Sequence, residues 1–121
     1  KNQGVGLAAS QVGELKRIIV VQTEKGSQIF INPKILKRSR ETEIMEEGCL
    51  SFPGLFLKLK RAKGVEVEAV NLEGKKIQIK ATGLTARVFQ HEIDHLDGIL
   101  FIDHVGILQR IKIMLKYFIW Y

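Results

Sequence analysis

Two histidines and a glutamate in residues 90–95 (QHEIDH) have the spacing of a divalent metal site. Four residues along an α-helix turn through about 400°, so His91 and His95 share one helix face. Two imidazoles placed in this way can ligate one divalent ion. Glu92 lies beside such an ion without ligating it, where a general base takes a proton from bound water. The alternative is a helix with two surface histidines, although the chain has only three histidines.

A third protein ligand is needed, because two histidines leave tetrahedral coordination incomplete. Downstream of the helix, Asp97, Asp103 and His104 lack the spacing of a zincin-type metalloprotease. His104 lies past the helix, so we assign it no role and expect it to be exposed. Upstream lies Cys49, the only cysteine, next to Gly48 and polar residues. A lone cysteine is usually a small buried apolar residue. This context nevertheless makes Cys49 the candidate third ligand.

The segments that must position these residues predict an α+β fold, with strands followed by helices. Extended segments are predicted at residues 17–22, 28–32 (ended by Pro33), 35–45, 65–70 and 76–80. The last two form an antiparallel hairpin around a turn at residues 71–74. We expect antiparallel sheets packed around a central metal-binding helix, with a second helix at the C-terminus.

Helical spacing begins at Leu84 and continues through the metal-binding segment. Thr82 or Thr85 is the predicted N-cap, and Gly98 is the predicted stop. A final amphipathic helix is predicted from its apolar residues, which are Ile107, Ile111, Met114, Leu115 and Phe118. Its polar residues, mostly on the opposite side, are Gln109, Arg110, Lys112 and Lys116.

The composition is that of one globular domain of 121 residues, with 45% hydrophobic and 26% charged residues. One cysteine excludes an internal disulfide, which is typical of a reducing compartment. No segment predicts a membrane span or a secretory signal. The formal charge of +6 indicates either a generally basic protein or attraction to a polyanion such as ribosomal RNA. The basic residues concentrate at 58–63 and in the C-terminal region, and we predict no DNA partner.

Three segments together resemble the peptide deformylase family. They are residues 4–11 (GVGLAASQ), similar to G-x-G-x-A-A-x-Q, residues 47–51 (EGCLS), similar to E-G-C-L-S, and residues 90–95, similar to Q-H-E-x-D-H. The resemblance covers residues 3 to about 103. It implies hydrolysis of the N-formyl group from formyl-methionine at the start of newly made proteins.

The resemblance implies one divalent ion, with Fe(II) as the first candidate and Zn, Ni or Co as alternatives. The implied metal ligands are Cys49, His91 and His95. Glu92 is then the general acid/base that works with a metal-bound hydroxide. The Gln11 amide and the backbone N–H of Leu50 stabilise the developing oxyanion.

The resemblance also places Val5 and Gly6 along the main chain of the peptide, as an added strand would bind. Gly6 and Gly48 keep side chains away from the substrate backbone. Leu84 and Val88 precede His91 on the same helix face, and we predict that they line an apolar pocket for the methionine side chain. The alternative is that both are plain core residues.

Arg61 is predicted to pair with Asp94 in a structural contact.

Members of the family usually have an additional N-terminal segment, whose helix packs over the sheet, and we expect this segment to be missing from an N-terminally truncated domain. We expect the basic C-terminal region to contact the ribosome. The expected location is a bacterial-type cytoplasm, or else an organelle stroma or matrix.

Two other functions remain open. A zincin-like metallopeptidase would need a ligand after His95 and would not need Cys49. An inactive, truncated deformylase-like protein would bind ribosomes or another partner through its basic surface.

Overall fold

The computed structural model describes residues 6–8, 17–49, 52–99 and 104–117. Its strands are β1 (Gly6–Ala8), β2 (Ile18–Thr23), β3 (Gly26–Arg38), β4 (Thr42–Cys49), β5 (Phe52–Ala62), β6 (Gly64–Val70) and β7 (Lys76–Thr82). Helices α1 (Gly83–Leu96) and α2 (Ile107–Tyr117) follow. Because strands precede helices, the predicted α+β order is confirmed.

The described strands form two antiparallel sheets. One sheet has the order β1-β2-β3-β6-β7, and the other contains β4 and β5. The hairpin predicted for β6 and β7 is confirmed, with Val67 opposite Ile79. Its turn is closed by Gly74, whose backbone N–H donates to the Asn71 carbonyl at 3.0 Å.

Helix α1 packs on one face of the five-stranded sheet. The buried strand residues are Ile19, Val21, Phe30, Val65, Val67, Ala69 and Ala81, and the buried apolar helix residues are Ala86, Val88, Phe89 and Ile93. The rings of Phe30 and Phe89 meet edge to face, with centroids 5.1 Å apart. Burial of each large aliphatic or aromatic side chain stabilises the fold by roughly 1.5–3 kcal/mol, so this core fixes the helix on the sheet.

Strand β3 continues through Pro33, so the prediction that Pro33 ends the strand is wrong. The ladder with β6 is shifted between Ile31 and Lys34, which places Asn32 and Pro33 in a bulge. Asn32 has a left-handed φ of 51°, and its backbone N–H donates to the Arg17 carbonyl at 2.7 Å. A bulge tolerates proline because the missing N–H is not required by the neighbouring strand.

The predicted extended segment 35–45 is divided between β3 and β4, so it is not one continuous strand. Ser39 lies in the break, where its hydroxyl donates to the Glu41 carbonyl at 2.8 Å. Strand β5 was not predicted, because residues 58–63 look only like a basic cluster. In the structure Lys58 and Lys60 are exposed, whereas Arg61 on the other face is buried.

The limits predicted for α1 are confirmed by Thr82 and Gly98. Thr82 is the extended N-cap residue, although its side chain makes no capping hydrogen bond. Gly98 follows the C-cap Asp97 and has a φ of 76°, a conformation that favours glycine.

Helix α2 lies where the sequence predicts the final helix, although Phe118 of that prediction is outside the described residues. Ile107 is 72% exposed and Leu108 is 74% exposed, whereas Ile113 is buried. The N-terminal apolar residues of this helix therefore point away from the domain. Among the helices that the structure describes, none has the length and apolarity required to cross a bilayer.

Candidate metal centre

His91 and His95 lie one turn apart on α1, and both side chains are buried. Their Nε2 atoms are 3.1 Å apart. Two nitrogen ligands at roughly 2.0–2.1 Å from a tetrahedral ion would be about 3.3–3.4 Å apart, which is close to this separation. The helix therefore brings the two imidazoles together, as their spacing predicts, and binding of an ion between them stays a prediction.

Glu47 on β4 fixes the orientation of His91. The Glu47 side chain is only 5% exposed, and its Oε1 lies 2.9 Å from His91 Nδ1. Since an ionised carboxylate only accepts hydrogen bonds, Nδ1 must donate, and Nε2 is left as the nitrogen that faces His95. A carboxylate that holds the second nitrogen in this way is the usual support of a metal-ligating histidine.

The Glu47 carboxyl is held in its ionised form. Burial alone raises the pKa of this group, but the hydrogen bonds from His91 and Arg61 and the charge of Arg61 outweigh burial and lower the pKa from 4.5 to about 2. Because the folded pKa is depressed, ionised Glu47 stabilises the folded chain above about pH 4.5, and this contribution is lost as the pH falls through about 2.

Two buried arginines hold Glu47 in place. Arg61 donates to Glu47 through Nε and through Nη2, the latter at 3.0 Å, and Arg87 donates through Nη1. Arg61 Nη1 also donates to Asp94 Oδ2 at 2.9 Å, which confirms the predicted pair. Asp94 accepts a further hydrogen bond from His104 Nε2 at 2.9 Å. His104 is exposed as expected, but this contact was not predicted.

Glu92 is buried, and it lies against β1. A Cβ added to Gly6 would lie 2.9 Å from Glu92 Cγ and 2.5 Å from Val88 Cγ1. A glycine is therefore required where β1 packs against α1, whether or not Gly6 also contacts a substrate. The structure thus brings together three of the predicted site residues, Gly6, Val88 and Glu92.

The remaining predicted site residues lie partly inside and partly outside the described part of the chain. Val5, Gln11 and Leu50 lie outside the described residues, and so does the side chain of Cys49, whose backbone ends β4. Gly48 is exposed, and a Cβ there would lie 2.7 Å from the Phe56 ring. Leu84 is 54% exposed in the first turn of α1, whereas Val88 is buried.

The third metal ligand stays a prediction. Considering only the side chains that the structure describes, no three His, Cys, Asp or Glu residues are grouped to hold an ion. The Cys49 side chain is not among them.

Glu47 and Arg87 support the site but were not predicted as functional residues. Glu47 lies in the motif that contains Cys49, so its position could have suggested a supporting role. Arg87 lies one turn before His91, and its only signal is a charged residue on a helix whose neighbours are apolar.

Replacing Glu47 with Gln is expected to lower the free energy of unfolding by about 3–5 kcal/mol, because it leaves two buried guanidinium groups without their shared carboxylate. Urea unfolding at neutral pH would measure the change. Glu46→Gln is the matched control, because Glu46 is the exposed neighbour on the same strand and its change should stay within about 0.5 kcal/mol. Equal effects of the two substitutions would contradict the assigned role of Glu47.

Comparison with known proteins gives one consistent result. The family model described as polypeptide deformylase matches residues 1–110. The peptide deformylase of Thermotoga neapolitana is 49% identical over 108 residues, which cover 89% of this chain and 66% of that protein. The peptide deformylase of Halothermothrix orenii is 56% identical over 105 residues, which cover 85% of this chain and 68% of that protein.

A solved structure is also similar to this chain. The crystal structure of peptide deformylase from Ehrlichia chaffeensis matches with a TM-score of 0.88 and 40% identity, covering 95% of this chain and 72% of that one. The fold class predicted from the sequence agrees with this match. The chain spans about two thirds of the length of the two relatives compared above.

Proposed function

The chain belongs to the polypeptide deformylase family, and on this premise we propose that it removes the N-formyl group from the N-terminal formyl-methionine of newly synthesised proteins. The observation that carries the proposal is the placement of a buried carboxylate, Glu92, on the helix whose His91 and His95 nitrogens lie 3.1 Å apart. A general acid/base beside a pair of metal-ligating imidazoles is what metal-assisted amide hydrolysis requires.

Cys49, His91 and His95 would hold one divalent ion, with Fe(II) as the first candidate and Zn, Ni or Co as alternatives. When bound, the ion supplies Lewis acidity that activates water and polarises the formyl carbonyl. The hydrogen bond between Glu47 and His91 supports this ligand set, because it directs His91 Nε2 towards His95. A thiolate from Cys49 would complete a set of two nitrogens and one sulfur.

Glu92 would move the proton that the reaction requires. Its carboxylate accepts a proton from the attacking water as the new bond to the formyl carbon forms. The same proton is then delivered to the amine nitrogen as the carbon–nitrogen bond breaks, so formate and a free N-terminus are released. General acid/base catalysis of this kind contributes roughly 10²–10⁴-fold in rate.

Gln11 and the backbone N–H of Leu50 would stabilise the charge that develops on the formyl oxygen. One donor of this sort lowers the barrier by roughly 3–4 kcal/mol. Both lie in segments that the family motifs include, which is the support for their assignment.

The peptide would bind beside β1. Among the described strands, β1 lies at one end of the five-stranded sheet, so an extended chain can add to its outer edge at Gly6 and the preceding Val5. Gly6 lies against Val88 and Glu92, which supports a path that leads to the acid/base. Val88 and Leu84 would contact the methionine side chain, and Gly48 would leave room for the peptide backbone.

Since nascent chains are the proposed substrate, the proposed setting is a bacterial-type cytoplasm or an organelle that makes formylated proteins. The net charge of +6 supports contact with ribosomal RNA, with Lys112 on α2 among the exposed basic residues.

The deciding experiment is a deformylation assay on formyl-Met-Ala-Ser, with metal analysis of the same sample prepared without oxygen. We expect release of formate from this peptide and none from its acetylated counterpart. Bound metal without turnover would favour an inactive partner-binding protein. Cleavage of internal peptide bonds would favour a zincin-like metallopeptidase.

A further inference from the structure

The two-stranded sheet and α1 meet along a polar seam, which consists of Glu47, Arg61, Arg87, Gln90 and Asp94. In the described part of the chain, no backbone ladder joins β4 and β5 to the five-stranded sheet. The apolar face of α1 packs on the five-stranded sheet. All five seam residues are buried. Directional hydrogen bonds therefore help to set the position of the two-stranded sheet relative to α1, in addition to the buried Leu57 and Leu59 of β5.

Arg87 connects α1 to both strands of the two-stranded sheet. Its Nη1 donates to the Glu47 carboxylate on β4 and to the Leu59 carbonyl on β5, the latter at 3.0 Å. Its Nη2 donates to the Glu43 carbonyl on β4. A planar guanidinium that bonds three acceptors fixes both the separation and the rotation of the groups it joins.

Gln90 and Arg61 complete the seam on either side. The Gln90 side-chain amide pairs with the Ala62 backbone, donating to its carbonyl at 2.8 Å and accepting from its N–H at 3.1 Å. Arg61 reaches back from β5 to Asp94 on α1. Two guanidinium groups and two carboxylates meet here, so the buried charges cancel and the seam is compatible with a low-dielectric interior.

We infer that Arg87 is a positioning residue for the metal site, because it fixes the strand that carries Glu47 and ends at Cys49 against the helix that carries His91 and His95. This inference deepens the proposed function and rests on its metal site. Arg87 acts through Glu47, which in turn holds His91 Nδ1 at 2.9 Å. Any shift of β4 along α1 would change the orientation of His91 and the distance between the helix ligands and the end of β4.

The test is Co²⁺ titration of the 121-residue chain without oxygen, followed by visible absorption, because the ligand field of Co²⁺ reports ligand geometry directly. Arg87→Met keeps the apolar stem but removes the guanidinium. We expect it to weaken Co²⁺ affinity by about 10–100-fold and to shift the ligand-field bands, as changes to a supporting shell do. Arg87→Lys keeps the charge but cannot bond all three acceptors, so it should fall between Arg87→Met and the unchanged chain.

Phe89→Leu is the control for stability alone. Phe89 is on the same helix but packs in the core on Phe30, away from the seam. Phe89→Leu should lower the denaturation midpoint yet leave Co²⁺ affinity within about twofold and the absorption bands unchanged, because the Phe89 side chain lies in the core cluster and makes none of the hydrogen bonds of the seam.

The inference is overturned if folded Arg87→Met shows the affinity and spectrum of the unchanged chain. If Arg87→Met does not fold, Arg87→Lys decides by the same two measurements. Failure of the unchanged chain to bind Co²⁺ overturns the inference together with the metal site. Co²⁺ binding without deformylation overturns only the proposed activity.

Discussion

Glu92→Gln is expected to lower kcat/KM for a formyl-methionyl peptide by about 10²–10⁴-fold, with the bound metal retained. Glutamine has nearly the same shape as glutamate, so the buried position beside Gly6 and Val88 can still be filled. The amide, however, cannot accept the proton of the attacking water or return it to the leaving amine. Since the lost interaction belongs to the transition state, kcat should fall while KM changes little.

Two measurements make this result decisive. Metal analysis separates loss of the acid/base from loss of the ion, and steady-state kinetics separates kcat from KM. Glu66→Gln on β6 is the control, because Glu66 alternates with Val65 and Val67, whose side chains face the core with α1, and it should leave both constants unchanged. A Glu92→Gln chain that keeps more than about a tenth of the rate would show that another group moves the proton.

Cys49→Ala is expected to weaken metal affinity by more than about 100-fold, since losing a ligand should cost more than the 10–100-fold typical of supporting residues. Turnover should fall with it. Equilibrium dialysis against Zn²⁺, together with the deformylation assay, would measure both effects. The substitution matters because it separates a site completed by an upstream thiolate from a zincin-like site completed after His95.

Cys49→Asp is the matched variant, because aspartate keeps a negative charge and an oxygen that can ligate Zn²⁺. It should retain more metal than Cys49→Ala. If Cys49→Ala keeps full affinity and activity, the ligand set with Cys49 is wrong, and a ligand downstream of the helix must be sought instead.

The parts of the site that depend on local spacing could be predicted from the sequence. His91, Glu92 and His95 lie within one turn and a half of one helix, so the period of the helix alone brings the two imidazoles together. The hairpin of β6 and β7 was equally accessible, because both strands alternate and a short turn joins them.

Apart from the predicted pair of Arg61 with Asp94, the supporting contacts could not be derived in this way, because they join distant segments. Arg87 and Glu47 are 40 residues apart, and no periodicity relates a helix residue to a strand of another sheet. Strand β5 was missed for a related reason. Its alternation places Arg61 inward, and although the pair with Asp94 was predicted, the second buried carboxylate, Glu47, was not.

Pro33 illustrates the opposite error, in which a local rule was applied too strictly. Proline interrupts a regular ladder, and the sequence alone gave no sign that a bulge at Asn32 would let β3 continue. The outward orientation of Ile107 on α2 likewise reflects where the helix packs, which helical spacing does not determine.

The neutral group of two arginines and two carboxylates in the seam has a consequence for the behaviour of the chain on heating. Charged groups lose hydration free energy as the temperature rises, so the cost of keeping them buried falls, whereas stabilisation by apolar burial levels off. The attachment of β4 and β5 to α1 should therefore weaken less on heating than the apolar core beneath the same helix. On heating, the relative contribution of the ion pairs around Glu47 to the stability of the domain should therefore rise.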